Sequence, residues 1–240
     1  MPPFDPTKGP RETVRTRAGG RDWELARCGD LESLWQAMGE EDGGFADDER
    51  LPYWCEIWPS SIALADWIAE NAARLAGRRC LDLGCGLGLT ALAGAAAGAR
   101  VLAMDYEWPA VAFARDNARA NLAPGPAPAP LFTLMDWRAP AVRAGSVDFV
   151  WGGDVLYEKR FAEPVAAFLD HVLAPRGEAW IAEPGREVYQ CFPETARRRA
   201  LTARRLFTRT VPSAYTDRTA GPPATVHVWA VNRSALQPQA

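Results

Sequence analysis

The sequence predicts a doubly wound α/β domain, an open and mostly parallel sheet covered by helices on both faces. Three observations predict it. From about residue 51 short apolar runs alternate with helical patterns, which is how a parallel sheet reads in a sequence. The first such run, Cys80–Leu83, ends in the glycine-rich turn Gly84-Cys85-Gly86-Leu87-Gly88. The following runs end on Asp105, on Asp136-Trp137 and on Gly152-Gly153-Asp154, and ligands of open α/β sheets bind outside the carboxyl ends of the strands.

The elements follow in order. Residues 1–20 are expected to start disordered and to continue as a short strand or arm, because Pro, Gly, Thr and Arg leave little apolar pattern. Residues 21–50 hold one short helix, Asp30 to Met38, with Asp30 as cap and Glu32 in the first turn. The acidic stretch Glu40 to Glu49 reads as an exposed loop. Residues 1–50 are thus an arm with a short helix, partly flexible, and residues 51–240 are the domain proper. In the domain, Ile62, Leu64, Ala65, Trp67, Ile68 and Leu75 predict a helix over Ser60–Leu75. Leu89–Ala97, Trp108–Leu122 and Phe161–Leu173 are helical, and Val101–Met104, Leu131–Met135, Val147–Trp151 and Ala179–Ala182 are strands. Pro124–Pro130 is a breaker. Glu187–Arg199 is helical, with Pro193 near its start or at a kink. Leu206–Val211 and Thr225–Val231 form a closing pair of antiparallel strands around the long polar loop Pro212–Pro223.

Composition narrows the function classes. Apolar residues make up 48% and charged residues 24% of 240 residues, as in a soluble globular protein. No apolar run is long enough to span a membrane, and the start lacks the basic-then-apolar pattern of a signal peptide. The five cysteines are odd in number and without a C-x-x-C pair. That argues against a disulfide framework or zinc site and suits a reducing, cytoplasmic setting. The net charge of −3 gives no general attraction to nucleic acid or membrane. Only His171 and His227 exist, so no metal centre and no Ser-His-Asp set is expected.

The strand ends carry the chemistry. Gly84, Gly86 and Gly88 permit a tight turn and close approach of backbone to a ligand, and the next helix aims its amide dipoles there. The dinucleotide fingerprint wants a glycine where this chain has Leu89. The chain has G-x-G-x-G instead, with Asp82 two residues ahead of it. Asp105, with Tyr106 beside it, lies about 20 residues further on, the distance at which an acid accepts from both ribose hydroxyls; the alternative is a helix cap. Asp136 could accept from an adenine amino group while Trp137 covers the ring face, or the pair could be a turn acid and a core indole. Gly153 lets backbone approach a cofactor, and Asp154 and Tyr157 are the polar groups nearest the acceptor. Their alternatives are a cap for a helix near Glu158 and a core ring. Upstream, Tyr53, Trp54 and Trp58 suggest a wall over the site, with core packing as the alternative for Trp54 and Trp58, as strong as the wall for Trp54.

Together these residues resemble the family-16 group of seven-strand methyltransferases, which includes many protein-lysine methyltransferases. The carriers are P-Y-W-x-x-x-W-P at 52–59, D-L-G-C-G-L-G at 82–88, Asp105, Asp136-Trp137 and D-V-L-Y at 154–157, where the group has a D-x-x-Y signature. Glu183-Pro184-Gly185-Arg186 is similar to a Pro-Gly-Arg stretch in the electron-transfer-flavoprotein β-subunit lysine methyltransferases and the nicotinamide-methyltransferase-like proteins. The resemblance implies a Rossmann-like sheet of order 3-2-1-4-5-7-6 with the last strand antiparallel. It implies S-adenosylmethionine as cofactor, held by Trp58, Asp82, the glycine loop, Asp105, Tyr106, Asp136, Trp137 and Gly153. Asp154 and Tyr157 would face the acceptor amine, most simply a lysine of a partner protein. A small amine or pyridine acceptor would suit the aromatic pocket too. Nucleic acid is the weaker alternative: D-V-L-Y lacks the prolines of the base-modifying N/D-P-P-Y motif, though Arg197, Arg198, Arg199, Arg204, Arg205 and Arg209 form one basic cluster. A regulator that binds the cofactor without catalysis is the non-enzymatic alternative.

Overall fold

The computed structural model describes residues 5–41, 51–123, 128–212 and 222–234. The acidic stretch from residue 42, most of the 124–130 breaker and most of the 212–223 loop lie outside them. No helix among the described residues is long and apolar enough to cross a membrane.

The chain opens with a β-hairpin, β1 (Arg11–Ala18) and β2 (Arg21–Cys28). The strand or arm expected before residue 20 is β1. The reading of residues 21–50 as one helix alone is corrected by β2. Gly19 and Gly20 both take positive φ, the two-residue turn that suits the twist of a hairpin. Val14, Thr16 and Ala18 alternate inward, as do Trp23 and Leu25, while Arg15–Glu24 and Arg17–Asp22 pair across the outer face. Helix α1 (Leu31–Glu41) follows, and the Asp30 carboxylate accepts from the Ser33 amide at 3.0 Å as an N-cap should.

The expected helix over Ser60–Leu75 is two, α2 (Pro59–Glu70) and α3 (Ala72–Leu75). Asn71 ends the first by donating its side-chain amide to the Trp67 carbonyl at 2.9 Å. Then come β3 (Arg79–Leu83), α4 (Leu89–Ala96), β4 (Arg100–Asp105), α5 (Trp108–Asn121), β5 (Leu131–Leu134), β6 (Val147–Gly153), α6 (Ala162–Val172), β7 (Leu173–Glu183), α7 (Phe192–Arg198), β8 (Leu201–Val211) and β9 (Ala224–Arg233). The closing strands and β7 run longer than the apolar pattern predicts. Backbone pairing begins ahead of the apolar run in β7 and β8 and outlasts it in β9, and β6 and β7 pair with a register shift between Val147 and Phe149. The segment expected to be helical over Glu187–Arg199 starts as a 3-10 turn, Glu187–Cys191. Pro193 stands in the first turn of α7, where its missing N–H costs nothing.

Seven strands form one sheet in the order β5-β4-β3-β6-β7-β9-β8, and β1-β2 stand apart. Numbered from β3, this is 3-2-1-4-5-7-6. Strands β3 to β7 are parallel, and β9 is antiparallel to both β7 and β8. Two apolar cores lie on opposite faces of the sheet, one centred on Trp151, Trp180, α2 and α4, the other on Leu81, Val150, Phe168 and Leu169. The order reverses at β3, so the carboxyl ends of β3, β4 and β6 diverge around a crevice.

Candidate active-site cleft

That crevice is a cleft of about 190 Å³. Its floor is the turn after β3. Gly86 takes φ +50°, and a methyl group there would sit 3.1 Å from the Trp54 carbonyl oxygen, so only glycine lets the aromatic segment close over the turn. Gly84 and Gly86 line the cleft. Gly88 lies behind it, packed on Ala114 of α5. Asp82 also points inward. It is buried, accepts from the Thr90 hydroxyl at 2.7 Å and ties β3 to α4, and burial lifts its pKa to about 7.

Asp105 ends β4 at the cleft wall. One carboxylate oxygen accepts from the Gly86 amide at 2.9 Å and the other from the Glu107 amide at 3.0 Å, so the acid fixes the glycine turn against the start of α5. Glu107, not Asp105, occupies the N-cap position of that helix, with no side-chain cap hydrogen bond. Burial raises the Asp105 pKa, and the amide donors oppose that shift. Each oxygen keeps a lone pair for a further donor. Tyr106 lies beside it, half-stacked under Arg138 at 5.3 Å.

After β5, Asp136 and Trp137 reach the same wall. Asp136 accepts from the Arg138 amide at 2.8 Å and from its Nε at 2.8 Å and 3.0 Å, so it is both a turn residue and a cleft residue. The Trp137 ring meets Phe161 edge-on at 5.4 Å and borders Gly84.

The residues leaving β6 supply the most unusual group. Gly153 packs on Ser61 at the start of α2 and borders the cleft. Asp154 adopts φ +56°, a left-handed conformation that costs a non-glycine residue energy. Its amide donates to Ala182 at 2.9 Å, while its buried carboxylate accepts no hydrogen bond from any described residue. The capping alternative therefore falls: the short 3-10 turn that follows starts at Lys159, with no side-chain cap. The nearest cation is Arg186, whose Nε lies 3.5 Å from Asp154 Oδ1. Burial pushes the Asp154 carboxyl up to about 6, against the pull of Arg186 and the Ser60 hydroxyl. Tyr157 is half-buried on the cleft wall, in edge contact with Tyr53 at 5.2 Å and Phe161 at 4.8 Å. Burial pushes its phenol pKa well up.

The aromatic segment closes the cleft from above. Trp58 donates to the Tyr53 carbonyl at 2.8 Å and meets its ring edge-on at 5.7 Å. Trp54 turns its ring to stack on Phe113 of α5 at 5.9 Å, so its ring is a core group while its backbone reaches the glycine turn. Sequence reasoning put Trp58, Asp82, Gly84, Gly86, Gly88, Asp105, Tyr106, Asp136, Trp137, Gly153, Asp154 and Tyr157 on one site, and all but Asp82 and Gly88 line the cleft. It assigned no role to Arg138, Phe161 or Glu107. It placed Tyr53 in the wall over the site and quoted Arg186 only within a motif, which was the signal for it. Three arginines of the basic cluster are paired with acids: Arg197 with Glu194, Arg199 with Glu163, and Arg209 with Asp66 and Glu70.

A family model described as lysine methyltransferase, family 16 of the methyltransferases, matches residues 46–190. The zebrafish (Danio rerio) electron transfer flavoprotein beta subunit lysine methyltransferase is 32% identical over 141 residues, 58% of this chain and 52% of that protein. Mouse EEF1A lysine methyltransferase 3 is 26% identical over 155 residues, 65% of this chain and 62% of that protein. The match thus spans about half the length of the first of these relatives. Among solved structures, magnesium protoporphyrin IX methyltransferase from Synechocystis PCC 6803 with bound SAM superposes with a TM-score of 0.56 at 18% identity, over 85% of this chain and 97% of that one, a likeness of fold. With the family model covering more than half of its residues, the chain belongs to the lysine methyltransferase family 16.

Proposed function

We propose that the protein transfers a methyl group from S-adenosylmethionine to the side-chain amine of a lysine in a partner protein, in the cytoplasm. The observation that carries this reading is Asp154: a buried carboxylate without a hydrogen-bond donor among the described residues, among aromatic rings on the same cleft as the glycine turn. A buried acceptor left unsatisfied is costly, and an incoming ammonium supplies the missing donors. The reading takes residues 51–240 as the transferase domain and residues 1–50 as an arm.

The cleft suits the cofactor in three respects. The turn at Gly84 and Gly86 presents backbone to the cleft for a ligand chain to lie against. Asp105 keeps free lone pairs toward the cleft for ribose hydroxyls. Trp137 and Phe161 offer ring faces and Asp136 an acceptor on the adenine side. When bound, the cofactor supplies an activated methyl group on a sulfonium.

The chain's own residues supply position and desolvation. Tyr53, Trp58 and Tyr157 wall the approach to Asp154 and favour a cation over water. A lysine ammonium must lose a proton before it can act as nucleophile. From a pKa near 10.4 to pH 7 that costs roughly 4.6 kcal/mol, at about 1.36 per unit, and burial among rings lowers the cost. Asp154 orients the amine by accepting its hydrogen bonds, and water carries the lost proton away. Tyr157 packs along the methylenes or accepts a hydrogen bond.

The test is incubation of the protein and tritiated cofactor with cell lysate, resolved on a gel. A labelled protein band that Asp154→Ala diminishes about 100-fold, while the variant still binds cofactor, is the expected result. Label only in small molecules would replace the lysine by a small amine acceptor. Unchanged labelling by Asp154→Ala would remove Asp154 from the mechanism.

A further inference from the structure

We propose that Arg186 is a positioning residue whose guanidinium holds the Asp154 side chain charged and aimed into the cleft, so that the cleft takes a cationic amine. The consequence for the acceptor rests on the methyl-transfer reading. The Asp154–Arg186 relation does not.

The geometry around Asp154 opposes a charge through burial and Glu183, and favours it through Arg186 first and the Ser60 hydroxyl second. Its carboxylate is buried, and neither oxygen accepts a hydrogen bond from a described residue. The groups that face it are Arg186, Glu183 and the Ser60 hydroxyl. Glu183 is itself buried and of like sign. Ser60 is buried with its hydroxyl unpaired. Arg186 is the one cation among these facing groups, and its Nε lies 3.5 Å from Oδ1, an ion-pair distance too long for a hydrogen bond. The pair therefore attracts without consuming the carboxylate's acceptor sites. Both oxygens stay open to a third group.

Arg186 is held there from two sides. One Glu183 oxygen accepts from the Gly185 amide at 2.5 Å and from the Arg186 amide at 3.1 Å, and the other accepts from the Trp229 indole at 3.2 Å. That fixes the backbone of the turn after β7. The guanidinium lies 5.9 Å from the Trp58 ring, which fixes the far end across the cleft. Parallel pairing of Gly153 with Ala182 brings the two strand ends together. A protonated Asp154 would turn one oxygen into a donor and carry no negative charge, so it would not draw an ammonium. Without Arg186, both burial and Glu183 favour that protonated form.

The experiment follows the carboxyl carbon of Asp154 by NMR in the full chain labelled at the aspartate Cγ. The Asp154 signal is assigned by its absence in Asp154→Asn. The expected midpoint is near 6 in the unaltered protein. In Arg186→Met it rises by at least about one pH unit, a tenfold loss of ionisation at a given pH below the midpoint. In Arg186→Lys it returns close to the original. The acid limb of kcat/KM against pH moves with it, whereas a merely structural role lowers the rate by one factor at every pH. A midpoint that Arg186→Met leaves unmoved, with a native amide spectrum, overturns the proposal. Should that variant fail to fold, Arg186→Gln decides by the same criterion. The titration needs no turnover, so a moved midpoint in a protein without methyl transfer would sustain the Asp154–Arg186 relation and dismiss the functional reading.

Discussion

Replacing Asp154 by Asn should stabilise the protein while disabling it. Burial raises the Asp154 pKa from 3.8 to about 6, so the folded state holds this proton more tightly than the unfolded chain does. At about 1.36 kcal/mol per unit, ionising the group at neutral pH costs the fold roughly 3 kcal/mol at most. The sign follows from the raised value. The stability is fully present below 3.8 and is lost as pH rises through about 6. Asn carries no charge to desolvate and is at ease at φ +56°. The Arg186 side chain, 38% exposed, loses its partner but keeps water. A net gain of about 2 kcal/mol remains, equivalent to roughly 4–8 °C in Tm for a chain of this size. Thermal melts of both proteins from pH 4.5 to 8.5 check it. The gain should be small at the acid end and reach its plateau above pH 7, and labelling of acceptor should be lost throughout. A gain that is flat with pH, or an Asn variant less stable than the original at pH 8, would refute the argument that this site carries a buried charge that Arg186 only partly compensates.

Three further outcomes follow from the same geometry. Gly86→Ala places a methyl group 3.1 Å from the Trp54 carbonyl oxygen at φ +50°; a strain of about 1–2 kcal/mol in the turn should weaken calorimetric binding of the demethylated cofactor about tenfold. Asn117→Ala leaves the Ala26 amide, the Ala26 carbonyl and the Leu87 carbonyl without their partner. It should cost about 3 kcal/mol in denaturant unfolding and speed amide exchange over residues 24–26. Because Arg197, Arg199 and Arg209 are paired with acids, a duplex oligonucleotide at physiological salt should bind no tighter than the non-specific range, about 10⁻⁴–10⁻⁶ M. Nanomolar anisotropy with a steep salt slope would restore the nucleic-acid reading.

How much was legible depended on what local pattern can encode. The sheet and its crevice were, because the residues that end β3, β4, β5 and β6 are glycines, acids and a tryptophan in places where a strand would otherwise continue. The direction of Asp82 was not. Strand β3 is buried on both faces, so alternation cannot say which side chains turn toward a ligand and which toward Thr90. The hairpin was legible in principle, through Gly19-Gly20 between alternating residues. It was missed because its inward side chains before the turn are small or polar, Thr16 and Ala18, and arginines dominate the composition. Arg186 could be marked only as part of a motif. Its proximity to Asp154 is created by the pairing of β6 with β7, a long-range fact that no window of sequence contains.

The hairpin matters to the cleft although it lies outside residues 46–190, where the family model matches. Arg27 of β2, 2% exposed, sits between Glu12 at 2.9 Å and Glu56 at 2.7 Å. A buried guanidinium is tolerated only when its charge is met, so Arg27 demands that Glu56 stay in place. Glu56 lies in the segment that carries Tyr53 and Trp58 over the cleft. On the opposite side, Asn117 of α5 satisfies both backbone groups of Ala26 and at the same time donates to Leu87 in the glycine turn. Gly19 in the hairpin turn donates to Asp66 of α2 at 2.7 Å. Each tie joins the hairpin to an element that forms a wall of the cleft. A wall built from a loop holds its geometry only if something stiffer holds the loop. Here a two-stranded ribbon, braced on α2 and α5, supplies that stiffness to the aromatic segment and the glycine turn together, which makes the relative spacing of those two walls a property of the arm as much as of the sheet.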